Sequence, residues 1–256
     1  MTTLRMFLLL CLAVVPFKAI AEEAPPIFIG ASNFILTGNA NAQNRFEAVV
    51  KKAVEAHTQL DTKRYWTAFQ QQMGNPRHYT LTRIFPNIGA MDEEPRNALV
   101  EAFGEEEVAK LFTGDAVVES TERGLWFERR DLSTAPSNAA GELSIWLQVG
   151  VKPGEEERFE AYLAKVAEAT RQVVPEVSYT TFAPVFGSPD IYVFAVPTSF
   201  AQLDAGPGIP VSQRLREAFG EREAKKLEAE RAASVASSAT LLIRTRTDMS
   251  YLPPAE

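Results

Sequence analysis

Two histidines, three tryptophans and scattered polar side chains are what this 256-residue chain offers for chemistry. His57 and His78 have no cysteine or carboxylate beside them at metal-ligand spacing, so a metal centre is not expected. There is no nucleophile elbow, no phosphate-cradling glycine loop and no paired-histidine zinc helix. Gly206-Pro207-Gly208-Ile209-Pro210 is rich in glycine, but its prolines lack amide donors and no Lys-Ser/Thr follows, so it reads as an ordinary loop. Asp131 and Asp248 each stand two residues after an arginine, Arg129 and Arg246. An acid pair is one reading of them, and their recurrence in the same setting favours a structural turn contact. Glu105-Glu106-Glu107 reads as a solvated helix start, where acids favour the helix dipole.

The start of the chain carries an address. Residues 1–21 have one arginine (Arg5), an apolar run, Pro16, and then Ala19-Ile20-Ala21, the layout of a secretory signal peptide with cleavage before Glu22. The apolar run is about half of the roughly 20 residues a spanning helix needs, so no permanent membrane anchor is expected. The one cysteine, Cys11, lies inside it. Cleavage leaves 235 residues without cysteine, and the loss of Arg5 and Lys18 takes the net charge from -7 to -9. Thiol chemistry is then excluded. An exported chain without disulfides fits a bacterial periplasm or secretion into bacterial surroundings. The acidic balance, with no Lys/Arg run, argues against nucleic acid as a partner.

The remaining sequence is written twice. Arg45-Phe46-Glu47-Ala48 returns as Arg158-Phe159-Glu160-Ala161, and Phe69, Gly74, Pro76 and Tyr79 return as Phe182, Gly187, Pro189 and Tyr192 in the same register. Glu101-Ala102-Phe103-Gly104-Glu105 matches Glu217-Ala218-Phe219-Gly220-Glu221, and Arg129-x-Asp131-x-Ser133 matches Arg246-x-Asp248-x-Ser250. Four matches in one order predict an internal duplication: a first repeat over residues 22–133, a linker over 134–141, and a second repeat over 142–256 with a short tail. Phe46, Phe103 and their mates are expected to be buried.

Hydrophobic periodicity supplies the elements of each copy. In the first, strands are predicted at 29–36, 65–70, 78–85 and 124–130, with helices at 41–59, 95–103 and 105–119. In the second, strands fall at 144–149, 178–182, 191–196 and 240–246, with helices at 155–173, from 212 to a glycine cap at Gly220, and at 221–237. The order is β-α-β-β-α-β, the α+β ferredoxin-like unit, with helices on one face of an antiparallel four-stranded sheet. The other face, to which Trp146, Tyr192 and Phe194 are assigned, needs cover, and the second copy's sheet can give it.

On that order and that repetition the chain resembles the dimeric α/β-barrel superfamily, in a tandem form where one polypeptide provides both halves of a pseudo-dimeric barrel. The resemblance covers residues 29–250 and implies a fold more than an activity. Cofactor-free monooxygenases, haem-degrading enzymes, chlorite dismutase-like haem proteins and small isomerases all share it. Haem members need an axial ligand, and haem-degrading ones carry a histidine on the second long helix and pair a first-strand Asn with a Trp. Here neither histidine falls on that helix, so no haem or other cofactor is expected. Asn33 does stand in the first strand, aligned with Trp146; a hydrogen bond to a neighbouring strand is its simpler role.

Unlike residues at matched positions are the best guide to a pocket, because a binding site needs unlike groups. Asn33, Trp66, His78, Arg83, Trp126 and Trp146 are the candidates, set against Trp146, Tyr179, Ile191, Val196, Ile243 and Asn33 in the other copy. No catalytic residue is identified. The leading reading is an exported protein that binds a small apolar molecule or a protein partner, in an oligomeric state the sequence does not give. A cofactor-independent monooxygenase-like enzyme and a purely structural module with a filled barrel are the alternatives.

Overall fold

The computed structural model describes residues 27–91, 97–134, 142–187, 190–206 and 208–254. The signal segment at 1–21 and nearly all of the linker at 134–141 fall outside the described residues.

The N-terminal half runs β1 (Phe28–Leu36), α1 (Ala42–Gln59), β2 (Thr67–Gln71), β3 (His78–Phe85), α2 (Ala98–Phe103), α3 (Glu105–Leu111) and β4 (Val118–Glu128). The C-terminal half runs β5 (Leu143–Val151), α4 (Glu156–Val173), β6 (Thr180–Phe186), β7 (Ile191–Thr198), α5 (Phe200–Asp204), α6 (Val211–Phe219), α7 (Glu221–Ser234) and β8 (Val235–Thr245). The eight strands close into a barrel in the order β1-β3-β2-β8-β5-β7-β6-β4, with every neighbouring pair antiparallel. Two seams join the halves, β2 to β8 and β4 to β6. Closure removes the sheet edges that a lone four-stranded half would expose.

Strand alternation sorts side chains between lumen and helices. Along β1, Ile29, Ala31, Asn33 and Ile35 point inward, while Phe34 and Leu36 pack outward with Phe46 and Val50 of α1. The larger core lies outside β5 to β7, where Phe159, Leu163 and Val166 of α4 meet Leu215 of α6, Leu227 of α7, and Tyr192 and Phe194. Tyr192 and Phe194 therefore do not share an inner face with Trp146. Trp146 pairs with Ala195, so Val193 and Ala195 look inward and the two rings between and beside them look out.

The long helices start and stop close to the sequence expectation, since a wide apolar stripe must face the sheet. The helix expected over 105–119 instead ends at Leu111, where Phe112 and Thr113 close a last turn and Gly114 takes φ +94°. Strands β4 and β8 start earlier than expected, at Val118 and Val235. After Val118 and Val235 their opening residues are exposed and small or polar, and they pair with β1 or β5 alone, so no apolar alternation marks them. Gly104 and Gly220 divide α2 from α3 and α6 from α7 at φ +80° and +81°, with extended ψ, a conformation nearly confined to glycine. It is not the left-handed cap expected for Gly220.

Phe46 and Phe159 are buried as expected. Phe103 and Phe219 are only half-buried, each on a helix too short to be covered by its neighbours. A lysine covers each ring instead, Lys52 at 3.9 Å and Lys165 at 4.9 Å from the ring centres.

Candidate functional site

The barrel interior is a cavity of about 270 Å³. Eight strands give a lumen just wide enough to be filled by side chains or to hold one small ligand, and this one is left partly unfilled. The two halves line it differently. From β5, β6 and β7 come Trp146, Phe182, Ile191, Val193, Ala195 and Pro197. From β1, β3 and β4 come Asn33, His78, Thr80, Thr82, Ser120 and Glu122. Both halves mix apolar and polar groups, since β5 and β6 also bring Ser144, Gln148 and Thr180 and β1 and β4 also bring Ile29, Ile35 and Trp126, but the ionisable groups His78 and Glu122 come from the N-terminal half.

The polar groups of β1, β3 and β4 are ordered by strand register. Asn33 pairs with Thr80 across one ladder and with Glu122 across the other, and His78 sits beside Ile35. Thr80 donates its hydroxyl to Asn33 Oδ1 at 2.8 Å. Phe69, next to Thr80 on β2, meets Trp146 edge to face with ring centres 5.0 Å apart, so one aromatic pair spans the two halves. Trp126 crosses the other seam, donating its indole N–H to the Ile191 carbonyl at 2.9 Å. Its ring lies where a side chain on residue 124 would stand, and that residue is Gly124.

His78 has a fixed orientation. Gln71 donates its side-chain amide to the Met73 carbonyl, which leaves Gln71 Oε1 facing His78 Nδ1 at 3.2 Å. An oxygen there requires Nδ1 to carry the proton, so Nε2 is the bare nitrogen. Nε2 is buried and has no hydrogen-bond partner. Burial lowers the pKa of the ring below the ordinary histidine value, opposed by the Glu122 charge, and His78 is neutral at pH 7. Tyr179, also on the lining, is pushed up to about 12 by burial and remains a phenol.

Four of the six sequence candidates, Asn33, His78, Trp126 and Trp146, stand on this lining. Trp66 and Arg83 do not. Trp66 precedes β2, bridges Tyr251, donates to the Met249 carbonyl at 2.9 Å and packs against the rings of His57, edge-on, and Tyr251. Arg83 falls between the inward-facing Thr82 and Ile84, so alternation turns it outward, over the Phe85 ring. Phe69, Gln71, Thr80 and Glu122 were not singled out from sequence. The spacing of His78, Thr80, Thr82 and Ile84 was the readable signal for Thr80, since residues two apart share a face.

Two clusters outside the lumen tie the halves together. Arg246, after β8, holds Glu47 of α1 and Asp248; Tyr79 also donates to Glu47, at 2.6 Å. Arg129, after β4, likewise holds Glu160 of α4 and Asp131, with Tyr192 donating to Glu160 at 2.9 Å. Asp131 and Asp248 are thus partners of their arginines on 3-10 turns and stand away from the lumen.

The histidines do not fit a haem. His57 shares a 2.6 Å hydrogen bond with Thr62 and packs edge-on against Trp66. His78 faces a cavity below the roughly 300–1,000 Å³ of sites for drug-sized ligands. Among the described residues no three His, Cys, Asp or Glu side chains are grouped to hold a metal ion, and no helix is long and apolar enough to cross a membrane.

No protein-family model matches the sequence, and no curated relative does. Solved structures do match its shape. An anthrone oxidase-like protein has a TM-score of 0.53 at 12% identity, covering 91% of this chain and 98% of its own. A protein from Lactobacillus acidophilus NCFM, provisionally named a monooxygenase, has a TM-score of 0.52 at 13% identity, covering 86% and 94%. A chlorite dismutase variant from Candidatus Nitrospira defluvii has a TM-score of 0.50 at 6% identity, covering 86% and 92%. Identities this low speak to architecture alone. The chain has the α+β dimeric α/β-barrel fold, with all eight strands drawn from one polypeptide.

Proposed function

We propose that the barrel is a binding chamber for one small, mostly apolar molecule of about one or two fused rings, taken up with its polar end toward Asn33, Thr80 and His78. The observation that carries this reading is the unfilled lumen, lined by aromatic and aliphatic side chains of both halves, with Asn33 and Thr80 ordered by a hydrogen bond beside His78. A purely structural barrel would have larger side chains in the places of Ala31 and Ala195. Calorimetric titration with naphthalene and 1-methoxynaphthalene is the test, with Ala195→Trp and Val193→Phe as lumen-filling variants. Binding to the native protein that either variant abolishes supports the chamber; absence of binding by these two probes and by 1-naphthol overturns it.

A monooxygenase-like activity is the second reading, and the neutral His78 on the lining favours it because such chemistry needs a group able to accept a proton from the substrate. The name of the anthrone oxidase-like neighbour supplies a first compound to try. Oxygen uptake with anthrone above the uncatalysed rate would support it, and uptake unchanged by His78→Gln would count against it.

The setting of the molecule belongs to the same proposal. Residues 1–21 act as an export signal, so the chamber works in the periplasm or outside a bacterial cell; mass spectrometry finding Glu22 as the first residue supports this, and a retained Met1 overturns it. The two halves descend from one duplicated unit, a reading supported by the matched Arg-Asp-Glu-Tyr clusters and the matched lysine-covered phenylalanines.

A further inference from the structure

The cavity shows which kind of polar atom its ligand must bring. Met73, Gln71 and His78 form one relay: the amide of Gln71 is held by the Met73 carbonyl, its oxygen is held by His78 Nδ1–H, and the lone pair of His78 Nε2 is left over. Gln71 cannot reverse without placing its oxygen against the Met73 carbonyl and its NH₂ against Nδ1–H. The tautomer is therefore set by the backbone at Met73, outside the lumen. A buried acceptor without a donor is costly, so native structures rarely leave one unless something else completes it.

We infer that His78 is a ligand-positioning residue whose Nε2 accepts a hydrogen bond from a hydroxyl or N–H group of the bound molecule, so that the chamber selects fused-ring compounds carrying a donor over those carrying only an acceptor or none. The placement of the neighbours supports this orientation. Gln71 and His78 are at the ends of β2 and β3 where the two strands meet, and the Phe69–Trp146 aromatic pair lies one inward-facing position along. A ring resting on that pair would place its substituent toward His78. On the matched strand of the other half, Ile191 stands where His78 does, so the opposite wall offers no competing acceptor at that position.

The inference rests on the chamber reading, and calorimetry on the full mature chain separates the two. The probes are 1-naphthol, which donates, and naphthalene and 1-methoxynaphthalene, which do not and which bracket it in size. The expected result is binding of 1-naphthol at least about tenfold tighter than either non-donor, with that preference lost in His78→Leu. A nitrogen NMR spectrum of the native protein gives a readout that does not depend on a variant folding: the His78 Nε2 resonance should move on adding 1-naphthol and stay in place with 1-methoxynaphthalene. If the native protein binds all three probes within about twofold, or if the preference survives in His78→Leu, the inference is overturned and the chamber stands. If none of the three binds, both fall.

Discussion

Arg246 holds Glu47 across 199 residues of sequence, with its two terminal nitrogens on the two carboxylate oxygens at 2.8 and 2.7 Å. Both side chains are 15% exposed. Arg246 directly follows the last strand of the C-terminal half and Glu47 belongs to the first helix of the N-terminal half, so the pair acts as a bolt through the β2–β8 seam. Arg129 and Glu160 do the same for the β4–β6 seam.

Removing one partner of such a pair strands the other. Arg246→Met and Glu47→Gln are each expected to lower stability by about 1–3 kcal/mol, and the double variant should lose less than the sum of the singles. Urea unfolding of the four proteins measures the coupling. A coupling indistinguishable from zero would show that the pair contributes nothing across the seam.

Acid should loosen the same contact. The bonds from Arg246, helped by Tyr79 and Gln43, hold the Glu47 carboxyl at about 2, against an ordinary value of 4.5. Its folded pKa is depressed, so its contribution is complete above the unfolded value and fades as pH falls from about 5 toward 2. Melting temperature should drop over that window in the native protein and drop less in Glu47→Gln. Identical acid profiles for the two would refute the assignment.

Gly187 holds the hairpin between β6 and β7 against β4. It has φ +93°, and a Cβ there would lie 2.2 Å from the Arg123 carbonyl oxygen, which is backbone and has nowhere to go. Gly187→Ala is expected to cost about 2 kcal/mol or more. Gly154→Ala serves as the control, since φ is also positive at Gly154 but nothing lies within 4 Å. Equal losses for the two variants would mean that the close approach is unimportant.

Neither half should fold well alone. Without β8, β5, β7 and β6, the inward residues Phe69 and Trp126 have no opposite wall, and each few hundred Å² of apolar surface left wet forfeits several kcal/mol at roughly 25 cal/mol per Å². Marginal domains have only about 5–15 kcal/mol in all. Residues 22–136 and 140–256, expressed separately, should aggregate or become soluble only when mixed. A cooperative, monomeric melt from either one would contradict this.

The barrel was legible in the sequence because helix periodicity and strand alternation are local signals, and their order in two stretches of the chain names the architecture. Four lumen residues were legible for a related reason: Asn33, His78, Trp126 and Trp146 are unlike their counterparts. The same rule brought in Trp66 and Arg83, since difference between matched positions carries no information on which face of a strand a residue occupies. Alternation carries it, but only once the strand is known, and Trp66 lies one residue before β2 begins. The Arg246–Glu47 contact was out of reach. The arginines had been read with the aspartates two residues away, and the glutamates were only part of a repeated helix motif. Nothing local tells a side chain that its second partner lies in the other half.

Because one polypeptide builds both walls of the lumen, each wall is written by its own codons. A barrel assembled from two identical chains would show every substitution twice, and a histidine on one side would always look at a histidine on the other. Here His78 faces a chamber whose matching position is Ile191, so the two walls are free to diverge. Natural variation in this protein should therefore be spent unevenly, on one wall at a time, while the paired clamps outside change only in concert.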